Sequence, residues 1–318
     1  MKASAIGKAC LLVTALLSSA CGGGGGGVAG GGAPATTPEG TYTGVATQAT
    51  ITTANAAELS ADAYQNGSIG STVNIARVTV EAPPPVVHAS LFPELGSLLR
   101  SGVTRGIQAK AAGRQALSSI IVEDSIDGAY GGSAWFSISL DQSTGAVSGT
   151  ATFSDFREAA GGPAVFGTVN IAGMFDQAGG LFSSLDISFS PLTALTTHGT
   201  FNLYGSIALS TAGTTETLKV SSTLAGSSGM TYWIKDWSFA FSSGNILNIT
   251  GRYYHPTHGY VEITTPEPLT VSSVVGRPLS GVWHSAGSNG TSARLTFTDQ
   301  GFTIAADLAG NGQWVPVP

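Results

Sequence analysis

Residues 201–213 read FNLYGSIALSTAG. Phe201, Leu203, Ile207 and Leu209 fall on one parity, Asn202, Tyr204, Ser206 and Ala208 on the other, and Ala212-Gly213 closes the run. Successive side chains of an extended chain point to opposite sides, so this alternation makes one face apolar and the other mostly polar. It predicts a half-buried antiparallel strand; a helix would repeat its apolar positions every three or four residues.

The same rhythm continues outward in both directions from about residue 118. Phe136, Ile138 and Leu140 alternate with Ser137 and Ser139. Val165, Val169, Ile171 and Phe175 keep one parity, as do Trp233, Trp237, Phe239 and Phe241, and then Leu247, Ile249 and Tyr253. Leu295 with Phe297, and Phe302 with Ile304, extend the pattern. Turn signals punctuate it at Asp141–Gly145, Asp176–Gly180, Ala212-Gly213, Ala225–Gly229, Ser243–Asn245 and Asp299–Gly301. About a dozen strands joined by short turns make a meander, and a large twisted meander must curl, close or split into two packed sheets. The expected fold is mainly β: a large antiparallel meander over 118–318 forming a curved sheet or barrel-like domain, with one or two short N-terminal helices. A β-sandwich is the alternative. An outer-membrane barrel fits poorly, because the strands set Ser and Thr against apolar residues.

Upstream, residues 39–117 read as a mixed region. Thr41 to Thr53 is β-prone, and ANAAELSADAY (54–64) suits a short helix that Asn55 caps and Asn66-Gly67 ends. Val73 to Val80 suits a strand, and Pro83-Pro84-Pro85 forces an extended break. Residues 89–117 carry apolar residues at helical spacing, interrupted by Gly96, Gly102, Gly106 and Gly113, which suggests a broken helix packed against the sheet or plugging it. Arg100, Arg105, Lys110 and Arg114 lie in that segment without an acid among them, but not on one helical face. They read as a solvated connection.

The first 20 residues have the three zones of an export signal: Lys2 and Lys8, the apolar run Ala9 to Leu17, and small Ser18, Ser19 and Ala20 before Cys21. The apolar run is too short to remain as a membrane span, which needs roughly 20 residues. Ser18-Ser19-Ala20-Cys21 resembles a bacterial lipobox, departing from it at Ser18. The resemblance implies cleavage before Cys21 and lipid on its sulfur. Gly22 to Gly27 follows without a break, and residues 21–38 read as a lipidated start and a glycine-rich linker. Twelve such residues span about 20 Å as a coil. The two cysteines are Cys10 and Cys21, so the exported domain would hold no disulfide.

Charged residues make up only 10% of the chain. Without Lys2 and Lys8, 11 basic residues face 19 acidic ones, a net charge of −8. That excludes an electrostatic grip on nucleic acid or anionic lipid, and leaves the anchor on Cys21 as the expected membrane contact.

No nucleophile elbow, HExxH or phosphate-binding loop occurs. GRYYHPTHGYVEITTPEPL (251–269) is the densest run of chemistry-bearing residues. His255 and His258 with Glu262 have the donor types of a zinc site, since imidazole and carboxylate both suit that ion. The plainer account is a hairpin turn at Pro256–Gly259 flanked by aromatics, and it is preferred. Asp307 to Gly312 (DLAGNG) resembles a calcium loop that has kept one carboxylate, too few for a hard cation that wants several oxygens. Glu123, Asp124 and Asp127 offer a carboxylate pair for glycoside hydrolysis, or a turn cluster before Gly128. No catalytic residue, metal ligand or cofactor is assigned, and an enzyme is not the preferred reading.

Three runs carry a wider resemblance: TQATITTANAAELSADAYQNG (47–67), WIKDWSFAF with GRYYHPTHGYVEITTPEPL (233–269), and SAGSNGTSARLTF with the Asp307 end (285–312). They resemble a family of glycine-tethered, β-rich bacterial lipoproteins. The resemblance implies an exported, β-rich protein and supplies no catalytic residues. The expected function is a non-enzymatic binding or structural role at the outer membrane, facing periplasm or exterior. A carrier of apolar cargo in a curved sheet is the alternative, and a carboxylate-dependent hydrolase comes third.

Overall fold

A computed structural model describes residues 37–72, 119–157, 164–176, 181–196, 199–212, 215–226, 229–242, 245–271 and 278–317. The expected export signal, Cys21 and nearly all of the expected glycine linker lie outside the described residues, as do 73–80, Pro83–Pro85 and the 89–117 segment with its four basic residues.

The strands form one antiparallel sheet whose spatial order follows the sequence. They are β1 (Ser119–Asp127), β2 (Ser133–Asp141), β3 (Ala146–Phe156), β4 (Ala164–Asp176), β5 (Leu181–Thr196), β6 (Gly199–Ala212) and β7 (Thr215–Gly226). Then come β8 (Thr231–Ser242), β9 (Ile246–His255), β10 (Gly259–Val271), β11 (Pro278–Ala286), β12 (Ser292–Thr298), β13 (Gly301–Asp307) and the short β14 (Val315–Pro316). Among the described residues the expected meander is therefore present as a single sheet of fourteen strands, and the sandwich alternative falls away. The sheet is curved and not closed into a barrel.

Side-chain parity works as the alternation requires. On β2, Ala134, Phe136, Ile138 and Leu140 are fully buried while Trp135 is exposed. The opposite face carries hydroxyl ladders such as Thr152 to Thr168 across β3 and β4, with 3.0 Å between the oxygens. The turn at Asp141–Gly145 is built by its first residue: the Asp141 carboxylate accepts from the backbone N–H groups of Ser143 and Thr144 at 2.7 and 3.0 Å. Gly145 there adopts φ +77°, a conformation that a side chain disfavours.

One parity expectation fails. Trp233 and Trp237 do not share a face. Asp236 has φ +53°, and the pairing of β8 with β9 slips between Lys235 and Ser238. This bulge inserts one residue and flips the alternation. Trp237 then points to the inner face, while Trp233 stacks on Tyr254 on the outer one, ring centres 4.4 Å apart.

Among the described residues, two helices precede the sheet. Helix α1 (Pro38–Thr41) is one turn, capped where the Thr37 hydroxyl accepts from the Gly40 N–H at 3.2 Å. Helix α2 (Ala56–Thr72) runs past Asn66-Gly67, where the sequence suggested an end. A glycine weakens a helix interior by about 1 kcal/mol, too little to stop one anchored upstream by packing. Asn55 occupies the expected cap position, and its carbonyl accepts from Leu59 N–H at 2.9 Å. Its side-chain oxygen turns back to the Thr52 N–H at 2.8 Å instead of reaching forward.

Between the helices the chain is a strap over one end of the strands. The Thr223 hydroxyl on β7 donates to the Pro38 carbonyl at 2.6 Å. Val45 N–H donates to the Pro256 carbonyl at 3.0 Å, and Ala49 N–H to that of Tyr260 at 2.8 Å. Ile51 N–H then donates to the Thr291 hydroxyl at 3.0 Å. The β-prone stretch from Thr41 to Thr53 thus becomes a strap with one isolated bridge, Gln48 to Tyr260, and not a full strand.

From the strap α2 enters the concave face. Ala56, Leu59, Ser60 and Ala63 are fully buried, at the i, i+3, i+4, i+7 spacing of one helical stripe. Three of the four are small, which lets the helix lie close to the aromatics beneath it. Tyr64 meets Trp283 edge-on at 5.5 Å and Phe297 at 5.2 Å. Trp237 of β8 and Trp283 of β11 touch, with ring centres 5.4 Å apart. Three strand steps on a flat sheet would separate them by about 14 Å, so this half of the sheet is tightly curled around α2.

Candidate metal centre at the strap end of the sheet

The hairpin between β9 and β10 turns over Pro256, Thr257 and His258. Gly259 follows with φ +93°, and a Cβ on it would lie 2.1 Å from the Thr47 carbonyl oxygen. Glycine is therefore required both by the turn and by the strap. His255 is the last inward-facing residue of β9, continuing the parity of Leu247, Ile249 and Tyr253. His258 caps the turn beside it. The two imidazoles stack, centres 4.6 Å apart at 23°.

The sequence offered Glu262 as their companion, and the structure overturns that. Glu262 has the opposite parity on β10 and faces outward, where the Arg252 guanidinium donates to it, Nε to Oε1 at 2.8 Å. Arg252 also lies over the Tyr260 ring at 4.3 Å. The carboxylates that do reach the histidines come from α2. Glu58 Oε2 lies 3.1 Å from His258 Nε2, and Glu58 Oε1 lies 3.5 Å from His255 Nε2. Asp62, one helical turn on, places Oδ2 3.6 Å from the same His255 nitrogen. One donor atom each from Glu58, His255 and His258 falls within 4.8 Å of the others.

Burial decides the protonation of His255. Its side chain is only 5% exposed. Burial first, then the neighbouring His258, pull its pKa down from 6.5 to about 4, against the opposing pull of Glu58. At neutral pH the ring is uncharged and keeps a lone pair. Thr257 steers it: the hydroxyl stands 3.1 Å from Nδ1, and the Thr257 N–H reaches the same atom at 3.3 Å. Behind it the Tyr42 hydroxyl lies 3.0 Å from the His255 carbonyl. Burial, with Tyr254 second, pushes that phenol up to about 12, so it stays protonated and acts as a donor.

Two imidazole nitrogens and a carboxylate oxygen are the donor set of a borderline divalent ion. Zn–N and Zn–O bonds of about 2.0–2.2 Å place tetrahedral ligands about 3.3 Å apart. The observed separations of 3.1, 3.5 and 3.6 Å straddle that edge length. Glu58 is 52% and His258 29% exposed, so the group opens to solvent on one side.

The other acidic candidates separate from this site. Asp307 is buried, and its carboxylate accepts four backbone N–H bonds: Ala309, Gly310 and Asn311 on Oδ1 at 3.2, 2.9 and 3.3 Å, and Gly312 on Oδ2 at 2.7 Å. Burial raises its pKa, but these four bonds outweigh it and hold the group below the usual carboxylate range. A loop that aims N–H groups inward holds an anion, so the calcium-like run is a self-closed turn around its own aspartate. On β1, Glu123 and Asp124 are adjacent and project to opposite faces. Glu123 and Asp127 share a parity about 13 Å apart along the strand, well beyond the spacing of a glycosidase pair of about 5–9.5 Å.

Glu58 is the residue that reading the sequence missed. It lies 200 positions from His258, and its only local signal was a place in the first turn of a helix. The three runs that carry the family resemblance supply the strap and α2, the His255 hairpin and the Thr291 loop, all of which meet at this end of the sheet. No protein-family model matches the chain, and no curated protein or solved structure matches it significantly.

Proposed function

We propose that the chain is an exported bacterial lipoprotein, cleaved before Cys21 and lipidated there, whose β domain serves the cell envelope by presenting its outer surface. The role is binding or structural, not catalytic, and the outer membrane is the proposed location. Lipid on Cys21 supplies the membrane contact, since the exported chain carries a net charge of −8.

One observation carries the choice among roles. Of the inner face, Phe136, Ile138, Leu140, Leu185, Ile234 and Leu295 are fully buried within the chain itself, and Phe201, Leu209 and Phe241 are partly buried against them. An apolar-cargo carrier needs that face free for its ligand. The outward face, rich in hydroxyls and short side chains, is the one offered to partners. The 13 Å spacing on β1 likewise gives a hydrolase little support.

Two measurements test this reading. Palmitate should label the wild-type protein and fail to label Cys21→Ala, which should leave the membrane fraction. Full-length protein extracted from membranes should carry no stoichiometric lipid beyond the covalent anchor. Membrane retention of Cys21→Ala, or a bound lipid, would overturn the corresponding half.

A further inference from the structure

We infer that Glu58, His255 and His258 form a binding site for a divalent transition metal, zinc in the first place, which fastens the start of α2 to the β9–β10 turn. This goes beyond the anchoring role and does not depend on it.

The donors come from two elements that the fold brings together independently of any ion. His255 is set by the parity of β9 and by the Thr257 hydroxyl against Nδ1. Glu58 is set by α2, whose buried stripe of Ala56, Leu59 and Ala63 fixes the helix's rotation. Residues at i and i+4 share a helix face, so the same rotation that brings Glu58 to the histidines brings Asp62. A cation at the focus of these groups meets two imidazole nitrogens and one carboxylate directly. The fourth position faces Asp62 and solvent, where a water or the Asp62 carboxylate completes a tetrahedron.

Charge supports the assignment. Glu58 and Asp62 place two carboxylates against the imidazoles of His255 and His258, at 3.1 to 3.6 Å. Two like charges four residues apart on a helix destabilise it modestly. A divalent ion offsets both. The imidazole nitrogens exclude magnesium and calcium as good occupants, since those ions prefer all-oxygen shells. Binding leaves His255 with its Nδ1 proton directed at the Thr257 hydroxyl, an outer-shell contact of the kind that orients metal-bound histidines. The Thr257 N–H contact at 3.3 Å is the one surrendered.

The test uses full-length protein purified in detergent and stripped with a chelator. Zinc alone is titrated against a chromophoric chelator, and cobalt(II) is followed by its visible spectrum. The expected result is one zinc per chain, with a Kd of about 1 μM or tighter, and the strong visible bands of four-coordinate cobalt. His255→Ala empties a buried position and risks the fold, so His258→Gln and Glu58→Gln carry the test. Each should weaken zinc by about 100-fold, and Asp62→Asn by about 10-fold, the usual range for a residue acting on a metal through its ligands or water. Glu262→Gln, whose carboxylate pairs with Arg252 on the other face, should leave the affinity unchanged. Zinc should also raise the thermal midpoint of the wild type and not that of Glu58→Gln. No zinc uptake by the wild type at micromolar concentrations, or wild-type affinity in both His258→Gln and Glu58→Gln, would overturn the inference.

Discussion

Replacing Gly251 by alanine probes the curl of the sheet where its walls come closest. A Cβ on Gly251 would lie 2.6 Å from Cδ1 of Trp237, 2.7 Å from Cγ and 2.8 Å from Cα. Carbon atoms rest about 3.5–4.0 Å apart, so either the indole or the backbone of β8 must retreat by about 1 Å. The indole is held: its N–H donates to the Arg252 carbonyl at 2.8 Å, and its far side meets Trp283 at 5.4 Å. Overfilling a packed core costs about 1–3 kcal/mol, and the blocked retreat places this case near 3 kcal/mol. Urea unfolding of the full-length protein, followed by tryptophan fluorescence and far-UV circular dichroism, measures it. In a Trp237→Ala background the ring contacts are gone, but the 2.8 Å approach to Cα and the strain of an alanine at φ +154° remain, so Gly251→Ala should still destabilise, by less than in the wild type. Equal costs in the two backgrounds would show that the penalty does not come from the indole. A cost below about 0.5 kcal/mol in the wild type would refute the tight curl itself.

Two further substitutions address titration and the C-terminal turn. Burial, then Arg294, pull the pKa of His284 below 6.5, so the unfolded chain takes that proton first. Stability from this group is complete above about pH 6.5 and falls as pH drops below it; His284→Gln should flatten the urea-midpoint curve between pH 6.5 and the acid range, and identical curves would remove the assignment. Asp307→Asn should release the loop that the carboxylate closes, raising hydrogen exchange at the amides of Ala309 to Gly312, while calcium should leave the thermal midpoint of the wild type unmoved.

The strands of this protein could be read from the chain because alternation is a local property. Phe136, Ile138 and Leu140 reveal their shared face without reference to any other strand, and Asp141 builds its own turn. Where a local irregularity intervenes, the same reading breaks. Asp236 gives no sequence warning that it will adopt φ +53°, so Trp233 and Trp237 were placed together and lie on opposite faces. Helix α2 was legible as a helix from Ala, Glu and Leu, but its extent was not, because packing against Trp283 and Phe297 outweighs the local cost of Gly67.

The candidate site divides along the same line. Composition and spacing alone determined the cysteine set before a glycine run, the antiparallel meander and the two histidines flanking one turn. Tertiary structure alone decided what those histidines face. Parity turns Glu262 outward to Arg252, and the curl of the sheet around α2 delivers Glu58 and Asp62 in its place. That choice could not be read from the chain, because it depends on how far fourteen strands bend together and on the rotation of a helix set by buried alanines. Neither quantity belongs to any single stretch of sequence.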